Sequence, residues 1–158
     1  WAGRKGAFSA MGRISPDFYT MDGCVPRDRI AEVLRQIGEI SERYGIRVAN
    51  VFHAGDGNLH PLVLFDSDVP GQEDYVRQMG EEILQVCADA GGSLSGEHGI
   101  GVEKREMMGM IFSDDDLEWM KTVKAAIDPD GLSNPGKIFP TPGKCWTPSK
   151  RRIAAVGW

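Results

Sequence analysis

The eight-residue run His53-Ala-Gly-Asp-Gly-Asn-Leu-His60 constrains this chain most. An Asp-Gly step between apolar-rich runs is the strongest short-range signal for a β-hairpin. With the turn centred between Asp56 and Gly57, Ala54 faces Leu59 and His53 faces His60. Directly opposed residues of an antiparallel pair point to one side, with Cβ atoms roughly 4.5–5.5 Å apart. Two charged imidazoles at that separation repel, whereas two neutral ones can share a cation. The same register sets Val51 against Leu62, Val48 against Phe65 and Arg47 against Asp66, the last an opposite-charge pair. Both strands, Ile46 to His53 and Leu59 to Phe65, carry apolar residues on both faces, as internal strands do.

Around the hairpin the pattern alternates. Residues 18–25 are rich in β formers and read as a strand. Pro26 can open a helix whose stripe runs through Ile30, Val33, Leu34, Ile37, Ile40 and Tyr44, with Gly45 as its stop. After the hairpin, Pro70 precedes a second stripe, Val76, Met79, Ile83, Val86 and Ala90, closed by Gly91-Gly92. A Gly-rich loop follows to Gly101, then a short helix over about 103–110. Ser113 and Asp116 form a capping-box start for a helix through Leu117, Met120, Lys124 and Ile127. The order β-α-β-β-α followed by helices indicates an α+β fold, an antiparallel sheet with helices packed on it.

Composition narrows the function. The 158 residues suffice for one compact domain with its own core. Carboxylates outnumber Lys plus Arg by 23 to 18, which argues against a nucleic-acid partner. No run approaches the roughly 20 apolar residues of a membrane span, and no signal peptide opens the chain. Cys24, Cys87 and Cys145 lie far apart without a C-x-x-C, which suits a reducing compartment such as the cytoplasm. The start Trp1-Ala-Gly-Arg4, without Met, is that expected of a piece of a longer protein.

Two neutral imidazoles and one carboxylate make a common set of ligands for a divalent transition metal. Glu97 is the best third ligand to His53 and His60, because the glycines around it allow close backbone approach. Three protein ligands leave positions open, as a catalytic metal requires, and the donor set favours Zn, Mn or Fe over Ca or Mg. Asp56 is the alternative carboxylate, although Asp at a turn tip commonly bonds local backbone. A plain reading stands beside this one: the histidines pack as a structural pair and Gly-Asp-Gly-Asn is only a turn. The glycines of 91–101 lack the Gly-Lys-Ser/Thr of a P-loop and the spacing of a dinucleotide fingerprint. Arg4-Lys5 and Lys150-Arg-Arg152 read as solvated charges, and Met107, Met108 and Trp119 as core.

The segments FHAGDGNLHP, GGSLSGEHGIGVEKR and DPDGLSNPGKIFP, in this order, resemble the C-terminal part of the FAD-linked 2-hydroxy-acid oxidases and dehydrogenases. That group includes the flavoprotein subunit of bacterial glycolate oxidase, D-lactate dehydrogenases and D-2-hydroxyglutarate dehydrogenase. The opening WAGRKGAFSAMGRISPDFYTMDGCVPRDRI looks most like the glycolate oxidase subunit. The resemblance covers residues 1–140 and leaves 141–158 as an irregular tail. It implies a ferredoxin-like half of a substrate-capping domain, with FAD bound mainly by an N-terminal domain that this chain does not include. The isolated chain is then expected to be inactive.

The resemblance also assigns roles. His53, His60 and Glu97 match divalent-metal ligands, and His98 matches the general base that takes the substrate hydroxyl proton before hydride passes to FAD. Arg4 matches a substrate-carboxylate arginine and Asn134 a flavin-adjacent residue. Relatives of the glycolate oxidase type work with partner subunits, one carrying iron–sulfur clusters, which could place the protein at the inner face of the membrane. Phe8, Thr20 and Leu62 depart from the polar residues that relatives acting on a longer dicarboxylate carry there. This favours a small monocarboxylate such as glycolate or D-lactate. The rival reading is a metal-stabilised binding module without redox chemistry. A module of that kind has no use for the unliganded base that His98 would supply beside Glu97.

Overall fold

The computed structural model describes residues 2–141, apart from the side chain of Arg4. The remainder of the expected tail, with Cys145 and Lys150 to Arg152, lies outside the described residues. The elements run α1 (Ala2–Met11), β1 (Asp17–Thr20), β2 (Gly23–Cys24), α2 (Ile30–Tyr44), β3 (Val48–His53), β4 (Asn58–Phe65), α3 (Gln72–Asp89) and α4 (Asp114–Ile127), with 3-10 turns at Arg27–Arg29 and Arg105–Met110. The fold is α+β with an antiparallel sheet.

β4 is the centre of that sheet. β3 lies along one side of it, and β1 and β2 lie end to end along the other. One register joins β1 and β2 to β4, with Thr20 opposite Leu62 and Gly23 opposite Leu59. The edge is therefore a single strand interrupted at Met21 and Asp22. Pro61 explains the interruption. The Met21 N–H donates to the Pro61 carbonyl at 3.1 Å, but Pro61 has no N–H to return.

Alternation divides the sheet into two faces. Tyr19, Met21, Val48, Phe52, Leu59 and Val63 face α2 and α3 and join Val33, Ile37, Ile40, Val76, Met79 and Ile83 in the main core. α2 presents its stripe to this face and ends at Gly45, whose φ of +66° closes the helix in the left-handed region. Close packing of α3 on the edge strand requires glycine at 80, where a Cβ would lie 2.7 Å from the Tyr19 ring. The opposite face carries Phe18, Thr20, Asp22, Val51, His53, His60, Leu62 and Leu64. α1 approaches its far end, with Phe8 and Phe18 in a tilted ring contact at 6.3 Å.

Three expectations need correction. The hairpin loop spans four residues, 54–57, rather than two, so His53 opposes Asn58 and Val51 opposes His60. The slip is two residues, and a period of two returns every side chain to its expected face. Trp119 is not core. It is 73% exposed on α4, in line with exposed Val123 and Ile127, and Leu117 is the buried residue of that helix. α1 was not expected as a helix. Met107 and Met108 are buried as expected, and Ser113 and Asp116 form the reciprocal capping box.

Candidate metal and substrate site

The hairpin brings its two imidazoles together diagonally across β3 and β4. Their ring centroids are 5.5 Å apart and the rings meet edge to face. His60 is buried and His53 partly exposed. Gly57, at φ +76°, permits the tight return of the chain, because a Cβ there would sit 2.1 Å from the Val25 carbonyl oxygen.

The strand break gives the His60 ring a backbone partner. Met21 has a carbonyl that Pro61 leaves without a ladder donor, and His60 Nδ1 lies 3.2 Å from it. A carbonyl can only accept, so this contact is a hydrogen bond when Nδ1 carries the proton. The Nε2 lone pair is then directed away from the strand, toward Glu97 Oε2 at 3.5 Å. His53 Nε2 stands 3.3 Å from the other oxygen, Glu97 Oε1. One donor atom each from His53, His60 and Glu97 falls within 4.8 Å of the others. A backbone carbonyl on the far nitrogen is a usual device for orienting a liganding imidazole. The donor set fits a divalent ion of the Zn, Mn or Fe kind.

Glu97 arrives on the loop after α3, and that loop extends the sheet edge. Ser93 and Cys24 exchange backbone hydrogen bonds at 2.9 and 3.0 Å, and the Gly96 N–H donates to the Asp22 carbonyl at 3.0 Å. Glycine is required at 92 and 96: a Cβ at 92 would lie 1.9 Å from the Cys24 carbonyl oxygen, and one at 96 would lie 2.5 Å from Cys24 Sγ.

Asp22 anchors the loop. It is fully buried and occupies the register position opposite His60. Its carboxylate accepts the Ser95 hydroxyl at 2.7 Å and the N–H groups of Gly96 (3.1 Å), Glu97 (3.1 Å) and His98 (2.7 Å). Lys104 Nζ lies 3.5 Å from the same carboxylate, and Lys104 is 2% exposed. Burial by itself raises a carboxyl pKa. Here the Ser95 hydroxyl, the two amides of His98 and Glu97 and the Lys104 ammonium outweigh it and hold Asp22 well below the ordinary carboxylate range. Asp22, His60 and His98 form a second group with donor atoms within 4.8 Å. Asp22 Oδ2 already receives four N–H and O–H donors, which makes the carboxylate a hydrogen-bonded hub for the loop. Neither Asp22 nor Lys104 was singled out from the sequence. Asp22-Gly23 read only as part of a strand, and its partners are 73–76 residues away.

His98 is exposed on the loop, with its ring stacked on His60 at 5.3 Å and 17° between planes. Arg4 lies in α1, and its side chain is outside the described ones. Asn134 has φ +48° and is exposed, and its side-chain oxygen accepts from Lys137 Nζ at 3.0 Å. Its segment returns to the Gly-rich loop, because the Ile138 N–H donates to the Gly101 carbonyl at 2.7 Å. Asp56, the alternative carboxylate, sits in the hairpin turn, where its N–H donates to the His53 carbonyl at 3.0 Å. Among the described residues, no helix is long and apolar enough to cross a membrane.

The sequence model of the family described as "FAD linked oxidases, C-terminal domain" matches residues 1–138. The chain is 55% identical over 145 residues to the glycolate oxidase subunit GlcD of Escherichia coli (strain K12), covering 92% of this chain and 29% of that protein. The corresponding subunit of Bacillus subtilis (strain 168) is 38% identical over 136 residues, 86% of this chain and 29% of that protein. A D-lactate dehydrogenase of Archaeoglobus fulgidus is 38% identical over 120 residues, 75% of this chain and 26% of that protein. The chain thus spans less than a third of the length of each of these relatives.

Proposed function

Since the chain belongs to the family of FAD linked oxidases, C-terminal domain, we propose that it is the C-terminal part of a flavin-dependent oxidoreductase acting on a small 2-hydroxy acid of the glycolate or D-lactate type. The observation that carries this reading is the convergence of His53 Nε2, His60 Nε2 and both oxygens of Glu97 on one face of the sheet, with the His98 imidazole stacked beside them. The reading is also favoured by relatives named as a glycolate oxidase subunit and a D-lactate dehydrogenase.

The roles follow from the chemistry of each group. His53, His60 and Glu97 hold a divalent cation; when bound, Zn, Mn or Fe supplies Lewis acidity that lowers the pKa of the substrate hydroxyl. FAD, held mainly by an N-terminal domain, supplies the acceptor for the hydride that leaves the substrate α-carbon. His98 takes the hydroxyl proton on a ring nitrogen, which leaves a 2-oxo acid. Imidazole suits that transfer because its ordinary pKa lies near neutrality. By the family resemblance alone, Arg4 would pair with the substrate carboxylate and Asn134 would lie near the flavin.

The sheet face beside the ligands is apolar, which favours a short substrate. Thr20 and Leu62 are opposed on the same face as His60, two residues along each strand, and Leu62 is fully buried. Phe8 and Phe18 continue the apolar surface. A second substrate carboxylate placed there would be desolvated without a partner, at a cost of several kcal/mol.

The test has two readouts. The purified chain, reconstituted with Zn, Mn or Fe, is expected to hold one ion and to lose it in His53→Ala. In the complete enzyme, His53→Ala and His98→Ala are both expected to abolish turnover, with the ion retained only in His98→Ala. A reconstituted wild-type chain that holds no ion would sink this reading.

A further inference from the structure

The buried pair Asp22–Lys104 has no part in the scheme above, yet both members are almost wholly removed from solvent. Taking two charges out of water is costly, and a buried ion pair is weak evidence for stability by itself. Such a pair repays its cost most plausibly through geometry, and the geometry here is specific. Four donors from consecutive residues, the Ser95 hydroxyl and the amides of Gly96, Glu97 and His98, end on one carboxylate. That carboxylate projects from the sheet edge opposite His60. The loop is rich in glycine, at 91, 92, 96, 99 and 101, three of them with positive φ, and beyond its backbone bonds to Cys24 and Asp22 this carboxylate is what holds Glu97 and His98.

We infer that Asp22 is the positioning residue of this site: by collecting the amides of Gly96, Glu97 and His98 on a carboxylate across from His60, with Lys104 balancing its buried charge, it fixes where Glu97 and His98 stand relative to the two imidazoles. The ligand and base roles rest on the function proposed above; the clamp itself does not. Asp22 touches neither substrate nor ion and acts through the backbone of the residues that do. The four donors end on Oδ2, so asparagine could keep an acceptor oxygen there and lose only its charge, whereas alanine removes the acceptor altogether.

The experiment uses the 158-residue chain and two measurements: residue-resolved amide hydrogen exchange without metal, and titration with Co2+ followed by its visible absorption. Asp22→Ala is expected to speed exchange at Glu97 and His98 by roughly tenfold to a hundredfold, the loss of a hydrogen bond to a charged acceptor, and at Gly96 by less, because its N–H also reaches the Asp22 backbone carbonyl at 3.0 Å. Protection in β4 and α3 should persist. Co2+ affinity should fall by about tenfold to a hundredfold, as for other partners that orient a ligand, with a changed ligand-field spectrum. Asp22→Ala/Lys104→Met removes the orphaned ammonium and should show the same changes if the single variant fails to fold. Ser95→Ala, which deletes one donor and keeps both charges, should raise exchange at the same amides by a smaller factor. Wild-type exchange at Glu97 and His98 in a folded variant overturns the inference. A wild-type chain that binds no Co2+ counts against the metal reading alone, and the exchange measurement then decides the clamp.

Discussion

The Nδ1 of His60 lies 3.2 Å from the carbonyl oxygen of Met21, where a ladder N–H would stand if residue 61 were not proline. A missing backbone donor and the orientation of a candidate ligand thus have one cause. Pro61→Ala restores the N–H and gives the Met21 carbonyl its usual partner. The imidazole then loses the contact that keeps the proton on Nδ1. The expected result is a mixed tautomer population at His60 in nitrogen-15 NMR, with divalent-ion affinity about tenfold weaker. An unchanged tautomer in a folded variant would show that the ring is held by other contacts.

Gly57→Ala is expected to be costly, because Gly57 is the buried residue of the hairpin turn. The backbone is at φ +76°, and the new Cβ would meet the Val25 carbonyl oxygen at 2.1 Å, beside the hydrogen bond from the Val25 N–H to the Gly57 carbonyl at 2.9 Å. The left-handed conformation costs about 1–2 kcal/mol and the overlap a similar amount, so a loss of roughly 2–4 kcal/mol should appear in urea unfolding. Gly55→Ala, with nothing within 4 Å and no positive φ, is the control and should change stability little.

Alkaline pH should weaken the fold through Cys87. Burial, with a smaller push from Cys24, raises its thiol from 9.0 to about 12. In the unfolded chain this thiol ionises near pH 9, while the native protein keeps the proton until about pH 12. The native state therefore binds more protons in that window, and stability falls as pH rises through it, by up to about 1.4 kcal/mol per pH unit. Cys87→Ala should show a shallower decline of unfolding free energy between pH 9 and 10, since Tyr44, raised to about 12 from 10.0, and Cys24, raised from 9.0, add their slope to both proteins alike. Parallel declines would mean that Cys87 titrates normally in the fold.

Substrate length should respond to the Thr20–Leu62 pair. In the complete enzyme, Thr20→Lys/Leu62→Asn replaces two opposed residues of the apolar wall with groups that can meet a second carboxylate. The ratio of kcat/KM for 2-hydroxyglutarate to that for glycolate is expected to rise at least tenfold, with some loss of stability because Leu62 is buried. An unchanged ratio would move the specificity determinant elsewhere.

The alternation around Asp56-Gly57 was enough to place His53 and His60 on one face, although the turn used four residues and the register moved by two. A one-residue error would have reversed the conclusion, whereas a two-residue error left it intact. The cap at Ser113 and Asp116 was legible because both partners are local. α1 was not, because glycines at 3 and 6 and few apolar residues give it no stripe. Trp119 is a large apolar residue that the sequence alone assigns to the core, while α4 turns Trp119, Val123 and Ile127 outward. Asp22 was least legible of all. Nothing near it in sequence distinguishes it from a turn aspartate, and its importance comes from amides more than seventy residues away.

His53, His60 and Glu97 meet only after β3, β4 and the loop beyond α3 have been assembled on the completed sheet edge. The unfolded polypeptide therefore offers a cation no comparable cage, and mass action links occupancy to conformation. At a free-ion concentration one hundred times the dissociation constant, native chains would gain about 2.7 kcal/mol over unfolded ones. Chelator-induced lowering of the melting temperature would then measure ion affinity in this chain without any need for turnover.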